Sequence, residues 1–284
     1  MIEPIDYTSD PEYKQWEDFL CSGPYSLATC KTYRTNYRRL RGLINNNIGD
    51  CSEDTLIDAI KAAELIVNTE QALLNIALMA RKHLFTPPLS TVKIKQVRTD
   101  NKQNVEEQLK QVNKYIALPT LEEFDDYLNW LFEQRRFQEY VVNWLIRFCN
   151  VRNQDLIMYV VTAKRDANDP CKNYIWLESK RQRAVYIRNV YKTSKTYGPK
   201  EIELTDECFL YALKRSKASF PITNDPSHIG YYIQKMSYKQ LGEGNLLKIL
   251  INHYKNDVNE LEKISKNRGT NWKTLMTSYN CDYQ

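Results

Sequence analysis

Between Ser26 and Asn46 apolar side chains recur at intervals of three and four: Leu27, Cys30, Tyr33, Tyr37, Leu40 and the pair Leu43–Ile44. Only a helix brings such positions onto one face, so this stretch must fold as an amphipathic helix with an apolar partner. Ser26 reads as its N-cap. The opposite side carries Lys31, Arg34, Arg38, Arg39 and Arg41. The same spacing appears on either side. Tyr13, Trp16, Phe19 and Leu20 mark a short helix from Asp10-Pro11, broken by Ser22-Gly23-Pro24. Leu56, Ile57, Ile60 and Ala63 mark a third helix, capped by Ser52 or Asp54. Leu73, Leu74, Ile76, Ala77, Met79 and Ala80 mark a fourth, capped by Asn68 or Thr69. With eight glycines in 284 residues, the chain is poor in the tight turns of an all-β protein. Residues 1–86 therefore read as one helical unit, closed by Thr86-Pro87-Pro88, where proline cannot continue a helix.

Residues 87–117 are polar and read as an exposed linker or strap with some helix. Structure restarts at Leu118-Pro119-Thr120, where Thr120 and Glu123 form a capping-box pattern. Two helices follow, LEEFDDYLNWLFEQ and the more apolar RFQEYVVNWLIRFCN. Three short runs rich in β-branched and aromatic residues then predict strands: Tyr174–Glu178, Ala184–Val190 and Glu201–Leu204. Helices resume after Thr205-Asp206, over Ile229–Met236, Leu246–His253 and Val258–Ser265. After a turn at Gly269, Trp272, Leu275, Met276 and Tyr279 predict a last short helix. The expected fold class is mainly α with a small three-stranded β-sheet (α+β), with a second unit over residues 118–284.

Lys and Arg total 40 against 35 acidic residues, an excess too small to prove a polyanion partner by itself. The seven cysteines are odd in number and none is spaced as Cys-x-x-Cys, which argues against a disulfide framework and a zinc ribbon. Three scattered histidines make a His-rich metal site a poor expectation. No secretory signal pattern and no membrane-length apolar run is present, so an intracellular protein with reduced thiols is expected.

Four features fall in an informative order. Arg152 precedes Asp155 by three residues; Lys195 lies in YKTSKTYGPKEIEL, with Lys192 and Lys200 as competitors; Lys248 lies in GNLLKILIN; Tyr279 follows 31 residues later. Each has a plain reading: an i,i+3 ion pair, a solvated hairpin lysine, a snorkelling helix lysine, a core aromatic. Together they match what phosphoryl transfer needs. Charge gathers on the non-bridging phosphate oxygens, which cations stabilise. A lysine can protonate the leaving oxygen, and a tyrosine can attack phosphorus and store the bond energy as an ester. No metal and no cofactor is required.

This order resembles the tyrosine recombinases, the phage-integrase class of site-specific recombinases, and the resemblance spans most of the chain. It implies a two-domain clamp on duplex DNA: a helical core-binding domain over 1–86, a linker over 87–117 and a catalytic domain over 118–284. Arg152, Asp155 and Leu156 match the family's first box. Lys195 stands where the family has its hairpin lysine, with Lys192 as runner-up. The family's HxxR motif is replaced by Asn245-Leu246-Leu247-Lys248, and its Gly-His pair by Gly269-Thr270, with Tyr279 keeping the nine-residue spacing. Lys248 keeps a positive charge without the bidentate fork of arginine. Asn245 and Thr270 can hydrogen-bond but cannot shuttle protons near neutral pH. Arg268, beside the turn, is a candidate replacement for the missing arginine, and Tyr283 is a second, weaker nucleophile candidate.

The resemblance implies site-specific DNA breaking and rejoining through a 3′-phosphotyrosyl intermediate, by a homo-tetramer assembled on double-stranded DNA. Lys31, Arg34, Arg38, Arg39 and Arg41 are expected to contact DNA, as are Arg181, Arg183, Lys192 and Arg268. Divergent members of this class occur in large DNA viruses and mobile elements, an origin compatible with a chain rich in Lys, Asn and Tyr. The altered motifs motivate an alternative: a catalytically weakened or inactive DNA-binding or packaging protein on the same fold. A helical interaction protein with no nucleic-acid role is the third reading.

Overall fold

The structure, a computed structural model, describes residue 7 and residues 9–114, 117–216 and 228–279. The chain divides into two compact units, Met1–Leu109 and Lys110–Gln284, each with its own apolar core.

The first unit is built from α1 (Pro11–Ser22), α2 (Leu27–Ile44), α3 (Glu53–Ala62), α4 (Val67–His83) and the start of α5 (Val92–Lys114). Three of these helices begin where a short polar side chain satisfies a free amide. Asp10 accepts from the Tyr13 amide at 3.0 Å, Ser26 from Thr29 at 3.2 Å and Ser52 from Thr55 at 3.0 Å. Neither Asn68 nor Thr69 caps α4, which starts at Val67 without a side-chain cap. Trp16 and Tyr37 stack at 5.0 Å in the middle of the core, among Leu40, Leu56, Leu73 and Ala77. The polar stretch after Pro88 is largely helical, and its beginning belongs to this core. Ile94 is wholly buried, and Glu53 accepts from the Ser90 hydroxyl at 2.5 Å and the Ile94 amide at 3.0 Å. Ile94 and partly buried Val97, with the Glu53 carboxylate of α3, seat a helix whose composition reads as solvated.

A second polar knot holds α1 to α2. Glu12 accepts from the Tyr37 hydroxyl at 2.6 Å, from the amides of Ile48 and Gly49 at 3.0 Å each, and from Arg41 at 3.4 Å. Arg41 also pairs with Asp10 at 2.7 Å.

The second unit opens with α6 (Leu121–Glu133) and α7 (Phe137–Cys149). The Thr120 capping box is present, with the Glu123 amide donating to Thr120 at 3.2 Å and the Thr120 amide to Glu123 at 2.8 Å. A sheet follows: β1 (Met158–Val161), β2 (Asn173–Glu178), β3 (Arg183–Arg188), then the short helix α8 (Ser194–Tyr197) and β4 (Lys200–Leu204). The remaining helices are α9 (Glu207–Ser216), α10 (Ile229–Met236), α11 (Glu243–His253), α12 (Val258–Arg268) and α13 (Trp272–Tyr279). The unit is thus mainly helical with a small sheet, an α+β arrangement.

The sheet has four strands in the order β1-β2-β3-β4 rather than the three expected. β1 runs parallel to β2, from Met158 opposite Asn173 to Val161 opposite Trp176, and the other pairs are antiparallel. The four residues of β1, Met158-Tyr159-Val160-Val161, are an unbroken apolar run with no alternation to set them apart from the apolar stretch before them, so the sequence does not mark a strand there. The β3–β4 connection is also more than a Gly-Pro turn, since α8 stands within it. Alternation along β3 sends Ala184, Tyr186 and Arg188 to one face, where Ala184 and Tyr186 join the helical core, and Val185 and Ile187 to the other. α7 and α11 supply the centre of that core, including Val141, Leu145, Leu246 and Leu250.

Among the described residues no helix is long and apolar enough to cross a membrane. The six described cysteines are unbonded; Cys281 lies outside the described residues.

Glu12→Ala is expected to cost about 3–5 kcal/mol, the range for removing one partner of a buried charge network. Amide hydrogen exchange over α1 and α2 checks this; protection there equal to the parent's contradicts it.

Candidate active site

The site begins where α7 stops. Asn150 takes a left-handed conformation (φ 52°) that ends the helix, and the chain turns through buried Val151 to Arg152. Arg152 precedes a 3-10 turn, Asn153–Leu156, and its amide donates to Asp155 at 2.9 Å. Asp155 is fully buried and pairs with the equally buried Arg188 of β3. The Tyr186 hydroxyl donates to the Asp155 carbonyl at 2.6 Å. Asp155 therefore does more than form a surface pair with Arg152: it bolts the turn to the sheet.

Across from this turn lies the carbonyl end of α12. A helix leaves its last carbonyls unpaired, and cations are favoured there. Arg188 donates to the Asn267 carbonyl at 2.5 Å, and Arg152 to the Arg268 carbonyl at 2.7 Å. Lys200, at the start of β4, donates to the carbonyls of Lys266 and Asn267. Thr193 donates to the Gly269 carbonyl at 2.7 Å. Gly269 ends α12 in the left-handed region (φ 62°), and a Cβ there would lie 2.5 Å from the Thr193 hydroxyl oxygen. The second arm of Arg152 donates to the Thr270 hydroxyl at 2.9 Å. Asn271 then caps α13 by accepting from the Thr274 amide at 2.8 Å, and buried Leu275 anchors that helix in the core.

Tyr279, at the end of α13, packs partly buried against the core. Its phenolic oxygen lies 3.5 Å from Nη2 of Arg268, long for a hydrogen bond, and the guanidinium carbon is 5.4 Å from the ring centroid, within cation–π reach. Arg268 is 2% exposed. The same Nη2 donates to Glu243 on the first turn of α11. Glu243 also accepts from the Asn153 amide at 2.5 Å. Beside this cluster opens a cleft of about 500 Å³, lined by Arg152, Asn153, Gln154, Lys192, Gly230 and Glu243, among others.

The electrostatics follow from the crowding of cations. Arg152 is pulled below the usual arginine range, first by burial and then by Arg268, against the opposing pull of Asp155, Glu243 and Tyr279. Lys200 is likewise pulled down by burial, then by Arg188 and Arg152. Four cations (Arg152, Arg188, Lys200, Arg268) face two carboxylates (Asp155, Glu243), an excess of two positive charges. Such a site favours an anion. Among the described residues no group of three or more His, Cys, Asp or Glu side chains is placed to hold a metal ion.

Arg152, Arg268, Thr270 and Tyr279 are thus brought together. Asn245 and Lys248 lie half-buried on α11, with no side-chain hydrogen bond or ion pair among the described residues. Lys195 is exposed on α8, and Lys192 is exposed at the cleft. Arg181 is exposed and 3.4 Å from Glu178, whereas Arg183 is held between Glu178 at 2.6 Å and Glu203 at 2.8 Å. On α2, Lys31, Arg38 and Arg39 are exposed. Arg34 pairs with Glu17 at 2.7 Å, and Arg41 points inward to Asp10 and Glu12. Tyr283 lies outside the described residues.

Three members of the cluster were not singled out from sequence. Arg188 had a readable signal, a charge in register with Ala184 and Tyr186. Lys200 was visible only as a competitor of Lys195. Glu243 had none, because an acid in a first helical turn ordinarily just complements the helix dipole.

No family model matches the chain, and no curated protein matches it. Among solved structures, the chain is similar to the crystal structure of XerA recombinase, at 11% identity and a TM-score of 0.37, over 95% of this chain and 92% of that one.

Gly269→Ala is expected to be destabilising, since a left-handed L residue costs roughly 1–2 kcal/mol before any clash is counted. A thermal midpoint lower by several degrees checks this; a variant that melts with the parent contradicts it.

Proposed function

We propose that the protein breaks and rejoins DNA strands by tyrosine attack on a phosphodiester. The observation that carries this reading is the convergence of Arg152, Arg268, Thr270 and Tyr279 in one cation-rich cluster, of which Arg152 lines the cleft. In the forward step the Tyr279 oxygen bonds to phosphorus and the bond from phosphorus to the 5′ oxygen breaks. The phenolic proton passes to solvent, and an ammonium proton passes to the departing 5′ oxygen. The products are a 3′-phosphotyrosyl ester and a 5′ hydroxyl, and a 5′ hydroxyl from a partner strand reverses the reaction. Arg152 is the leading candidate to grip the phosphate, with Thr270 hydrogen-bonded to it. Asn245 and Lys248 remain candidates from α11.

Lys200 and Lys195 are rival candidates for the general acid. The depressed proton affinity of Lys200 and its nearness to Arg152 favour it, since a lysine that gives up its proton more readily is the better acid. Exposed Lys31, Arg38, Arg39, Arg181 and Lys192 supply backbone contacts, whose affinity falls steeply with salt. In this reading residues 1–86 bind DNA, 118–284 carry the chemistry, and recombination takes place in a homo-tetramer on DNA.

A nicked suicide duplex, in which the freed 5′ fragment diffuses away, is expected to trap the wild type covalently and to leave Tyr279→Phe untrapped. Trapping undiminished by Tyr279→Phe, or none by the wild type, removes the assignment. For the acid, Lys200→Ala is expected to cleave slowly and to recover on a duplex with sulfur in place of the 5′ bridging oxygen, a leaving group that needs no proton. If only Lys195→Ala recovers, the roles are exchanged.

A second reading is supported by the absence of any imidazole among these residues: Asn245 and Thr270 stand where the family places histidine. A protein that binds duplex DNA but never cuts fits that substitution. It predicts salt-sensitive binding unchanged by Tyr279→Phe and no covalent product.

A further inference from the structure

A phosphate site gains nothing from a carboxylate at its mouth, since like charges repel. Glu243 nevertheless lines the cleft beside Arg152, with 16% of its side chain exposed. What it does is visible on its other side. One oxygen takes Nη2 of Arg268, and the other takes the Asn153 amide at 2.5 Å. The remaining contacts of Arg268 are weak: Nη1 reaches the carbonyls of Asn150 and Val151 at 3.5 and 3.4 Å, and Nε has no partner among the described residues. A buried guanidinium held by such bonds alone would be poorly fixed, so Glu243 is its principal anchor and its charge partner. The nitrogen that Glu243 holds is the one facing the Tyr279 oxygen. The next residue, Gly244, presents α11 to the phenol ring, with its Cβ position 4.0 Å from Cε1.

We propose that Glu243, which lines the cleft, is a positioning residue for the nucleophile: acting through Arg268, it orients the phenolic oxygen of Tyr279, at the expense of affinity for DNA phosphate. This rests on the reading of Tyr279 as the nucleophile. Arg268 takes no part in proton transfer; its guanidinium, with Nη2 3.5 Å from the phenolic oxygen and its carbon 5.4 Å from the ring centroid, orients the tyrosine, while the phenolic proton leaves to solvent. Orientation and charge pull in opposite directions here. Removing the charge loosens the aim of the oxygen and lowers the rate, yet it also removes a repulsion from the cleft and strengthens binding. A residue with only a structural role would weaken both.

The test is single-turnover trapping on the suicide duplex over a range of DNA concentrations, with thermal unfolding measured on each protein. Glu243→Gln keeps the shape and an acceptor for Arg268 but loses the charge. It is expected to lower the maximal rate roughly ten- to a hundredfold, the scale of a misaligned reacting group, with the half-saturating DNA concentration unchanged or lower. Glu243→Asp is expected to recover part of the rate. Adding Glu243→Gln to Arg268→Lys is expected to slow that variant no further, because the two act as one unit. A maximal rate for Glu243→Gln equal to the wild type overturns the proposal. So does a rate that falls together with weaker DNA binding and a lower melting temperature. A wild type that traps nothing removes the nucleophile and this role together, whereas trapping shared equally by wild type and Glu243→Gln removes this role alone.

Discussion

The last turn of α12 ends in carbonyl oxygens that the helix's own amides cannot reach, and the second unit converges on satisfying them. Arg188 comes from β3, Thr193 from the loop before α8, Lys200 from β4 and Arg152 from the turn after α7. Each cation at a helix carboxyl end contributes about 0.3–1 kcal/mol, rising to about 2 kcal/mol in partly buried geometry. The structural consequence outweighs the energy. The turn after α7 and the β3–β4 segment, both far in sequence from α12, acquire one common reference point, and α13 follows after a left-handed glycine. The position of Tyr279 is therefore set by the same carbonyls that hold Arg152.

This arrangement gathers like charges, and the two carboxylates make it tolerable. Asp155 answers Arg188 in full burial, and Glu243 answers Arg268 at the border of the cleft. Buried ion pairs add little net stability over an apolar replacement, because desolvation offsets attraction. Their persistence here is better explained by direction: a guanidinium paired on one side presents its remaining edge at a defined angle. Arg152 is the contrasting case. Its side chain donates to a carbonyl and a hydroxyl, neither of which carries a full charge. Its charge therefore remains available to an incoming anion, in keeping with burial and Arg268 both disfavouring it.

The helices were legible in sequence because three- and four-residue spacing survives any tertiary context, as in Leu27–Ile44 and the Thr120 capping box. β1 was not, because Met158–Val161 is apolar throughout and shows no alternation, unlike the equally short Glu201–Leu204. α5 was read as solvated because its composition is polar, although Ile94 enters the core. For the site, residue type and order were enough to single out Arg152, Thr270, Arg268 and Tyr279. Partnership was not readable. Arg41 stands in the same basic stripe as Arg38 and Arg39, yet it turns inward, because Asp10 and Glu12 lie behind α2. Lys195 and Lys200 share one basic loop, and only the turn of α8 separates an exposed lysine from a half-buried one.

Lys248 and Arg268 illustrate how residue type and order leave the position of a charge open. A catalytic cation is defined by where its head lies, and several backbone positions can deliver a head to one point. On α11 the residue in the motif position is a lysine with no ion-pair partner among the described residues, whereas the guanidinium beside the phenol comes from the end of α12. An arginine arriving there is buried among carbonyls of the α7–β1 turn and would carry an unanswered charge without an acid on the facing helix. Glu243, one residue before Gly244 and two before Asn245, meets that need. The Glu243 carboxylate answers the charge of the buried guanidinium and, by holding Nη2, sets the edge that Arg268 turns toward the phenol.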